Sequence, residues 1–433
     1  MNELKKILII TYYWPPAGGP GVQRWVKFAK YLPEFGWKPV IYTPENPNYP
    51  LTDNSLKKDF PTPIEIIKTK IWEPYRIAEK LNPKNKKFKA GQFDIGSEQN
   101  WRSKLSLWIR GNFFIPDARI FWVKPSVHYL SQYLKKNPVK AVITTGPPHS
   151  LHLIGLELKR KNPHLKWLAD FRDPWTDISY YKHLKLSSRS DKKHKQLESE
   201  VLKNADITLA TSFTDCENYK AKGARAFCIT NGFDHPVYSS SLSTTDKFTL
   251  SYIGILEQLR NPKILWHTLE TLLRHYDDFR EEFRLKWVGK IDDAIQRDIE
   301  KYHLSRVTES LGYLSHEDSL KEMQNSDLLI ITNFSQPSSR GIIPGKLFEY
   351  MASGKKILSY GPKGADVEKI LEASGAGKHF DDTQGDAMKE YIISQYLQWK
   401  QHIPPSPTKN IEIYSRKNLT QKLSELLSTL PEN

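Results

Sequence analysis

Along most of this chain apolar residues fall in short unbroken runs rather than in strict alternation with polar ones. Ile7-Leu8-Ile9-Ile10 is the first run, followed by a Gly-rich turn and a helical pattern from about Val22 to Leu32. Val40-Ile41-Tyr42 and the runs at 64–67, 141–144, 167–170, 207–210 and 227–229 repeat the theme. Continuous apolar runs of strand length, separated by helical stretches, predict a parallel sheet buried on both faces. A polar stretch rich in Ser and Thr, 238–247, interrupts the pattern, which then restarts. Runs at 249–253, 285–288, 307–311, 328–331 and 356–359, with a helix from about Lys263 to Tyr276, predict a second domain of the same kind. The final stretch, 387–430, reads as helical with a break at Pro404-Pro405.

The expected architecture is therefore α/β, with two doubly wound Rossmann-like domains facing a central cleft. Residues 1–237 form the first domain, 248–386 the second, and 387–433 a helical segment expected to pack back on the first. In such sheets ligands bind at the carboxyl ends of the strands, where the strand order reverses. One segment stands apart. From about 71 to 123 the chain mixes Trp72, Trp101, Trp108, Phe113, Phe114, Phe121 and Trp122 with Lys84, Lys86, Lys87, Lys89, Lys104 and Arg110. It reads either as an inserted subdomain with an aromatic core or as a surface for an anionic membrane or a lipid-linked acceptor.

At 433 residues, two domains are the natural division. Two cysteines, Cys216 and Cys228, argue against a disulfide framework and for a reducing compartment. No run reaches the roughly 20 apolar residues of a membrane span, so a cytoplasmic protein is expected, with peripheral seating on the inner membrane face. The net charge of +15 implies anionic partners. No nucleic-acid-binding signature accompanies it, which leaves phosphorylated sugars and anionic lipid ahead of nucleic acid.

The densest chemistry lies in Gly341-Ile342-Ile343-Pro344-Gly345-Lys346-Leu347-Phe348-Glu349-Tyr350-Met351-Ala352-Ser353-Gly354-Lys355. It reads as a tight turn, a helix and a Gly stop. A helix starting at Pro344-Gly345 would aim amide N–H groups at an anion, Lys346 would add a charge, and Glu349 could accept from a ribose diol. It is not a P-loop: three residues rather than four separate Gly341 from Gly345, and Leu347 stands where Ser or Thr would hold magnesium.

Other candidates sit just past predicted strands. Trp14-Pro15-Pro16-Ala17-Gly18-Gly19-Pro20-Gly21 offers small residues for close ligand approach. Arg24 at the third fingerprint position and Tyr42-Thr43-Pro44 after the second strand argue against a nicotinamide dinucleotide site. His149 follows Gly146-Pro147-Pro148 and is placed to donate to a sugar hydroxyl. Asp170, Arg172 and Asp173 lie in Asp170-Phe171-Arg172-Asp173-Pro174-Trp175, where the carboxylates either orient an acceptor or pair with Arg172. Asn231-Gly232 suits a hinge, and Gly254 opens a loop from which Arg260 projects toward the same anion as Lys346.

Taken together, the Pro-Pro-x-Gly-Gly start, Asp-Phe-Arg-Asp-Pro-Trp, Asn-Gly-Phe-Asp, Gly312-Tyr313-Leu314-Ser315-His316 and Pro-Gly-Lys-Leu-Phe-Glu-Tyr-Met-Ala-Ser-Gly-Lys resemble glycosyltransferase family 4. The resemblance spans nearly the whole chain and is thinnest over 71–123. It implies a GT-B fold and a retaining, metal-independent transfer of a hexose-type sugar from a nucleotide-diphosphate sugar. The acceptor would be a glycan or a lipid-linked one in cell-envelope polysaccharide synthesis. By that likeness the donor sits on the second domain and the acceptor on the first. Glu349 would bind the ribose, Arg260 and Lys346 the diphosphate, Gly18 and Gly19 would close over the phosphates, and His149 would touch the transferred sugar. Asn231, Gly254 and Gly345 complete the donor side; no cofactor or metal is implied. The chain departs from the pattern twice. Gly341 stands where the family commonly has its first Glu, and Ile255 replaces the first of a basic pair. Alternatives are a GT-B epimerase or hydrolase and a non-catalytic sugar-nucleotide or glycan binder.

Overall fold

In the computed structural model, described for residues 4–49, 51–53, 64–74, 108–178, 181–234, 238 and 245–430, the chain divides into two compact units. Met1–Thr230 with Arg416–Asn433 forms the first, and Asn231–Ser415 the second. Most of the aromatic and basic segment, 75–107, and most of the stretch 238–247 lie outside the described residues.

The first unit is built on seven parallel strands: β1 (Lys5–Ile10), β2 (Trp37–Pro44), β3 (Glu65–Thr69), β4 (Ala141–Gly146), β5 (Trp167–Phe171), β6 (Ile207–Ala210) and β7 (Ala226–Cys228). Their order is β3-β2-β1-β4-β5-β6-β7, so the direction of winding reverses between β1 and β4. Alternate residues of a strand point to opposite faces. Leu8 and Ile10 accordingly join one core, and Ile7 and Ile9 the other. Both faces are apolar, which is why the strands read as continuous runs. The core containing Ile7 is completed by Trp25, Val26 and Phe28 of the helix Pro20–Tyr31. It also takes Leu419, Leu423 and Leu427 of the helix Arg416–Ser428.

The second unit repeats the plan with β8 (Phe248–Ile253), β9 (Phe283–Val288), β10 (Thr308–Ser310), β11 (Leu328–Thr332), β12 (Lys356–Tyr360) and β13 (Gly377–Phe380). The order β10-β9-β8-β11-β12-β13 reverses between β8 and β11, whose ladder sets Leu328 opposite Leu250. The strand β13 had no counterpart in the hydrophobic pattern: Gly377-Lys378-His379-Phe380 is a mostly polar edge strand. A Cβ on Gly377 would stand 2.0 Å from the Ile357 carbonyl oxygen, so its pairing with β12 depends on glycine.

Candidate functional site

In the second unit the candidate cations gather at the point where winding reverses. Gly254 follows β8 directly, and its φ of +125° is one that only glycine adopts without strain. A Cβ there would lie 2.7 Å from Lys346 Nζ. The absence of a side chain at Gly254 lets Lys346 reach back over the strand end. Its Nζ donates to the Ile253 carbonyl at 2.7 Å and rests 3.9 Å from the centre of the Tyr252 ring. Lys346 itself is half-buried. Burial first, then the Arg260 guanidinium, lowers its pKa to about 7, while Glu349 acts the other way. Lys346 thus feels both Arg260 and Glu349.

Arg260 ends a short 3-10 turn, Gln258–Arg260, whose next residue anchors it: Asn261 donates to Asp298 at 2.6 Å and accepts from the Trp266 indole at 2.6 Å. The guanidinium lies 5.1 Å from the Phe334 ring centre, and Phe334 stands just past β11. That contact spans the reversal from the β8 side to the β11 side. Arg260 Nε is buried and makes no hydrogen bond among the described residues. A buried guanidinium nitrogen without an acceptor is costly unless an anion supplies one.

The helix behind Lys346 runs Lys346–Ala352, only seven residues. The amides of Leu347 and Phe348 close on the Pro344 and Gly345 carbonyls at 3.0 and 3.3 Å. The helix starts with a tight 3-10 turn that uses those two donors internally, which leaves the amides of Gly345 and Lys346 ahead of it. Gly345 is exposed with helical backbone angles, and Glu349 is half-buried within the first turn. The preceding loop is held by Asn333, whose amide donates to Ile342 O at 2.8 Å, and by Ser339.

In the first unit the corresponding reversal lies between β1 and β4. Gly18 is packed tightly, its amide bonded to Leu51 O at 2.9 Å and its Cβ position 3.1 Å from Asp53 and Leu51. Gly19 has φ +93° and open space where a Cβ would be, so of the two it is the one a ligand could approach. Asn231 is half-buried at the start of the second unit, beside Phe233, whose amide donates to Tyr414 O.

His149 precedes the helix Ser150–Lys161. Its ring stacks on Trp175 at 5.0 Å and 5°, and its Nδ1 is buried with no hydrogen bond among the described residues. Burial, then His152 and Arg172, hold its pKa well below the ordinary value; the Pro174 carbonyl alone opposes. His149 is therefore neutral at physiological pH, fit to share a hydrogen bond with a hydroxyl and unfit to act as a cation.

The two aspartates diverge. Asp170, expected on the acceptor side, is completely buried. Its carboxylate accepts from Arg24 Nη2 at 3.0 Å, the Trp25 indole at 2.7 Å and the Thr145 hydroxyl at 2.9 Å. Arg24 also donates to Thr230 O at 2.9 Å. Asp170 is spent on holding helix Pro20–Tyr31 to the sheet and has no surface for a substrate. Asp173 is exposed. Arg172 donates to Gly21 O at 2.9 Å and to Pro147 O, tying the turn after β1 to the turn after β4. A Cβ on Gly21 would meet that guanidinium at 2.3 Å. Arg172 is thus a brace for the two turns that flank the reversal.

Sequence reasoning missed a buried network beside β1. Glu73, 1% exposed, accepts from the Tyr12 hydroxyl at 2.7 Å and pairs with Arg119 Nε at 3.2 Å. Asp117 next to it accepts from the Ser150 amide and hydroxyl. No local spacing could announce it, since its members lie up to 107 positions apart. Among the described residues no three His, Cys, Asp or Glu side chains are grouped to hold a metal ion. None of the described helices is long and apolar enough to cross a membrane.

No family model matches the chain, and no curated protein matches it in sequence. Solved structures do resemble it. Sucrose-phosphate synthase from Thermosynechococcus elongatus aligns with TM-score 0.61 at 14% identity, over 98% of this chain and 99% of that one. Anabaena Alr3699/HepE in complex with UDP and glucose gives 0.61 at 13%, over 98% and 100%. The lipopolysaccharide outer core galactosyltransferase WaaB gives 0.60 at 14%, over 98% and 99%. At such identities the likeness shows the fold, which is GT-B: two Rossmann-like α/β units.

Proposed function

Starting from that fold, we propose that the chain is a glycosyltransferase of the family 4 kind. It moves a hexose-type sugar, with retention, from a nucleotide-diphosphate sugar to a glycan or lipid-linked acceptor. The observation that carries the reading is the pairing of Lys346 and Arg260 at the reversal point of the second sheet, with Glu349 one turn on. Two cations on one diphosphate stabilise the charge that develops as the sugar departs, without a metal ion. Arg260 Nε lacks an acceptor that a phosphate oxygen would supply. Lys346 is parked on a carbonyl and a ring, and an anion would draw it off both. Glu349 would take the ribose hydroxyls. On the first unit, neutral His149 would hold a hydroxyl of the transferred sugar, and Gly19 would allow close approach. The neighbours include proteins described as bound to UDP and one that serves lipopolysaccharide assembly, which favours a cell-envelope setting.

The same reading gives the exposed aromatics of the first unit a peripheral membrane role. Trp72 and Phe121 touch edge to face at 4.6 Å, and Trp108 lies against Phe113 at 5.6 Å. Cosedimentation with anionic vesicles checks it; indifference to lipid charge would count against it.

The deciding experiment is thermal stability with UDP, GDP and their sugars in EDTA, followed by a search for product. A ligand that binds only the folded state raises the melting temperature. A shift with one nucleotide series supports the donor site and names its base. Gly341, lacking the carboxylate common at that position, favours one second reading: a binder without turnover. Binding with no product from any acceptor, including water, would select it.

A further inference from the structure

The ring of His149 is oriented by a loop, and that loop is held by polar side chains on the buried face of a helix. Among the described residues its ring neighbours are Trp175, parallel at 5.0 Å, Phe171 at 5.8 Å and His152 at 5.9 Å. Phe171 belongs to β5 and His152 to the helix Ser150–Lys161. Trp175, 3% exposed, lies beyond β5 where neither a strand nor a helix fixes it. The neighbour that stacks most closely on His149 therefore needs a hold of another kind.

The helix Ser188–Asn204 supplies it. Its buried face carries Ser190, His194 and Glu198 at a spacing of four, before turning apolar at Val201. His194 and Glu198 are each 3% exposed. An imidazole or a carboxylate costs stability in such a place unless it is hydrogen-bonded. Both are bonded to the loop. The Trp175 indole donates to His194 Nδ1 at 3.1 Å. Because Nδ1 accepts, the ring proton of His194 sits on Nε2, which faces the Gly111 carbonyl at 3.5 Å. Burial above all lowers the His194 pKa and keeps the ring neutral, as an acceptor must be. Glu198 accepts from the Thr176 amide at 3.2 Å and the Thr176 hydroxyl at 2.6 Å. Its charge is met by Lys222 at 2.9 Å, which also pairs with Asp177 at 2.8 Å. Residues 175, 176 and 177 are thus tied one after another, directly or through Lys222, to a single helix face.

We propose that His194 is a positioning residue for His149: it fixes the Trp175 indole, whose ring sets the imidazole at the angle from which it meets the transferred sugar. Glu198 anchors the same loop one residue on. A buried indole N–H left without an acceptor is costly, so loss of His194 favours a rotation of Trp175 that carries the N–H to water and the ring off His149. The consequence for transfer rests on the transferase reading above; the hold on His149 does not.

The test labels the histidines of the full chain with 13C and reads the Cε1–H signal of His149, assigned by its absence in His149→Gln. Stacked on Trp175, it should be single and displaced upfield by the indole ring current. His194→Leu should return it toward the free-histidine position. His194→Asn, whose amide oxygen can accept in place of Nδ1, should restore most of the displacement. Trp175→Phe keeps a ring without the N–H, should lose the displacement too, and serves where His194→Leu does not fold. With the nucleotide sugar that raises the melting temperature, His194→Leu should lose kcat by about tenfold or more, since a misplacement of about 1 Å has such effects, and His194→Asn should regain most of it. Affinity for the bare nucleotide should stay unchanged in all three variants. If the sugar nucleotide binds without turnover, the loss should fall on its affinity and spare that of the bare nucleotide. A His149 signal indifferent to both His194→Leu and Trp175→Phe would overturn the proposal. So would equal losses in the Leu and Asn variants, or a loss of bare-nucleotide affinity alongside kcat. If the His149 signal follows His194 while the unaltered protein binds no nucleotide sugar, the transferase reading falls and the hold on His149 stands.

Discussion

Lys346 works against its own surroundings. Burial, and after it the Arg260 guanidinium, make the ammonium weakly basic, with a pKa of about 7, until an anion arrives. A diphosphate binds the protonated form, so above about pH 7 binding must take up a proton. Donor affinity should therefore fall as pH rises from 7 to 9, by up to about tenfold per pH unit. Lys346→Arg, always charged, should flatten that profile; isothermal titration in buffers of different ionisation enthalpy measures the uptake. A flat profile in the unaltered protein would contradict it. Lys346→Ala should lose about 2–4 kcal/mol of transition-state stabilisation, read from kcat/KM. At Gly254 the strain of φ +125° and the clash with Nζ coincide. Gly254→Ala should cost about 1–3 kcal/mol of stability and weaken the donor as well, by denaturant midpoint and titration.

At the scale of elements, the helix Pro20–Tyr31 is held to its sheet by a buried ion pair. Arg24 and Asp170 are 1% and 0% exposed. Removing one partner strands the other charge in the core. Asp170→Ala should destabilise the chain by about 3–5 kcal/mol, whereas a surface carboxylate such as Asp386, 95% exposed, should matter little. Urea unfolding compares them. Beside that pair, the helix Ser150–Lys161 buries His152, stacked on Phe171 at 4.3 Å, and burial lowers its pKa to about 3. The unfolded chain binds this proton near the ordinary value and the folded one does not. Stability from this site is complete above about pH 6.5 and is lost progressively as pH falls toward 3. The urea midpoint should decline through that window, and His152→Gln should decline less.

These elements also show what a sequence can and cannot disclose. The strand runs and the turn–helix–Gly segment were legible because parallel strands and a short helix write their burial locally. Asp170 was not, because a carboxylate after a strand looks the same whether it faces a ligand or an arginine 146 positions earlier. The helix Ile120–Lys136 carries Pro125 in its interior and begins inside the aromatic and basic segment, and the pattern gave no helix there. Its Trp122 is 1% exposed, stacked on Tyr42 at 5.1 Å, and belongs to the core. Polar edge strands such as β13 have no hydrophobic signature at all.

For the whole molecule, the first unit is completed by the helix Arg416–Ser428. Leu419, Leu423 and Leu427 fill its core, Ser424 accepts from the Trp37 indole at 3.0 Å, and Lys417 pairs with Glu34 at 2.7 Å. Each buried leucine contributes roughly 1.5–3 kcal/mol. Replacing Leu423 by Ala should lower the first unit's transition in calorimetry and spare the second's; equal losses in both would contradict the division. The arrangement also sets an order of events at the ribosome. Domains usually fold N-terminal first as they emerge. Here the N-terminal unit lacks a wall of its core until the helix Arg416–Ser428 has been made, while the unit coded between its two parts is already whole. The middle of this chain matures before its beginning, and a nascent chain stalled short of that helix would present an unfinished first unit to chaperones and proteases.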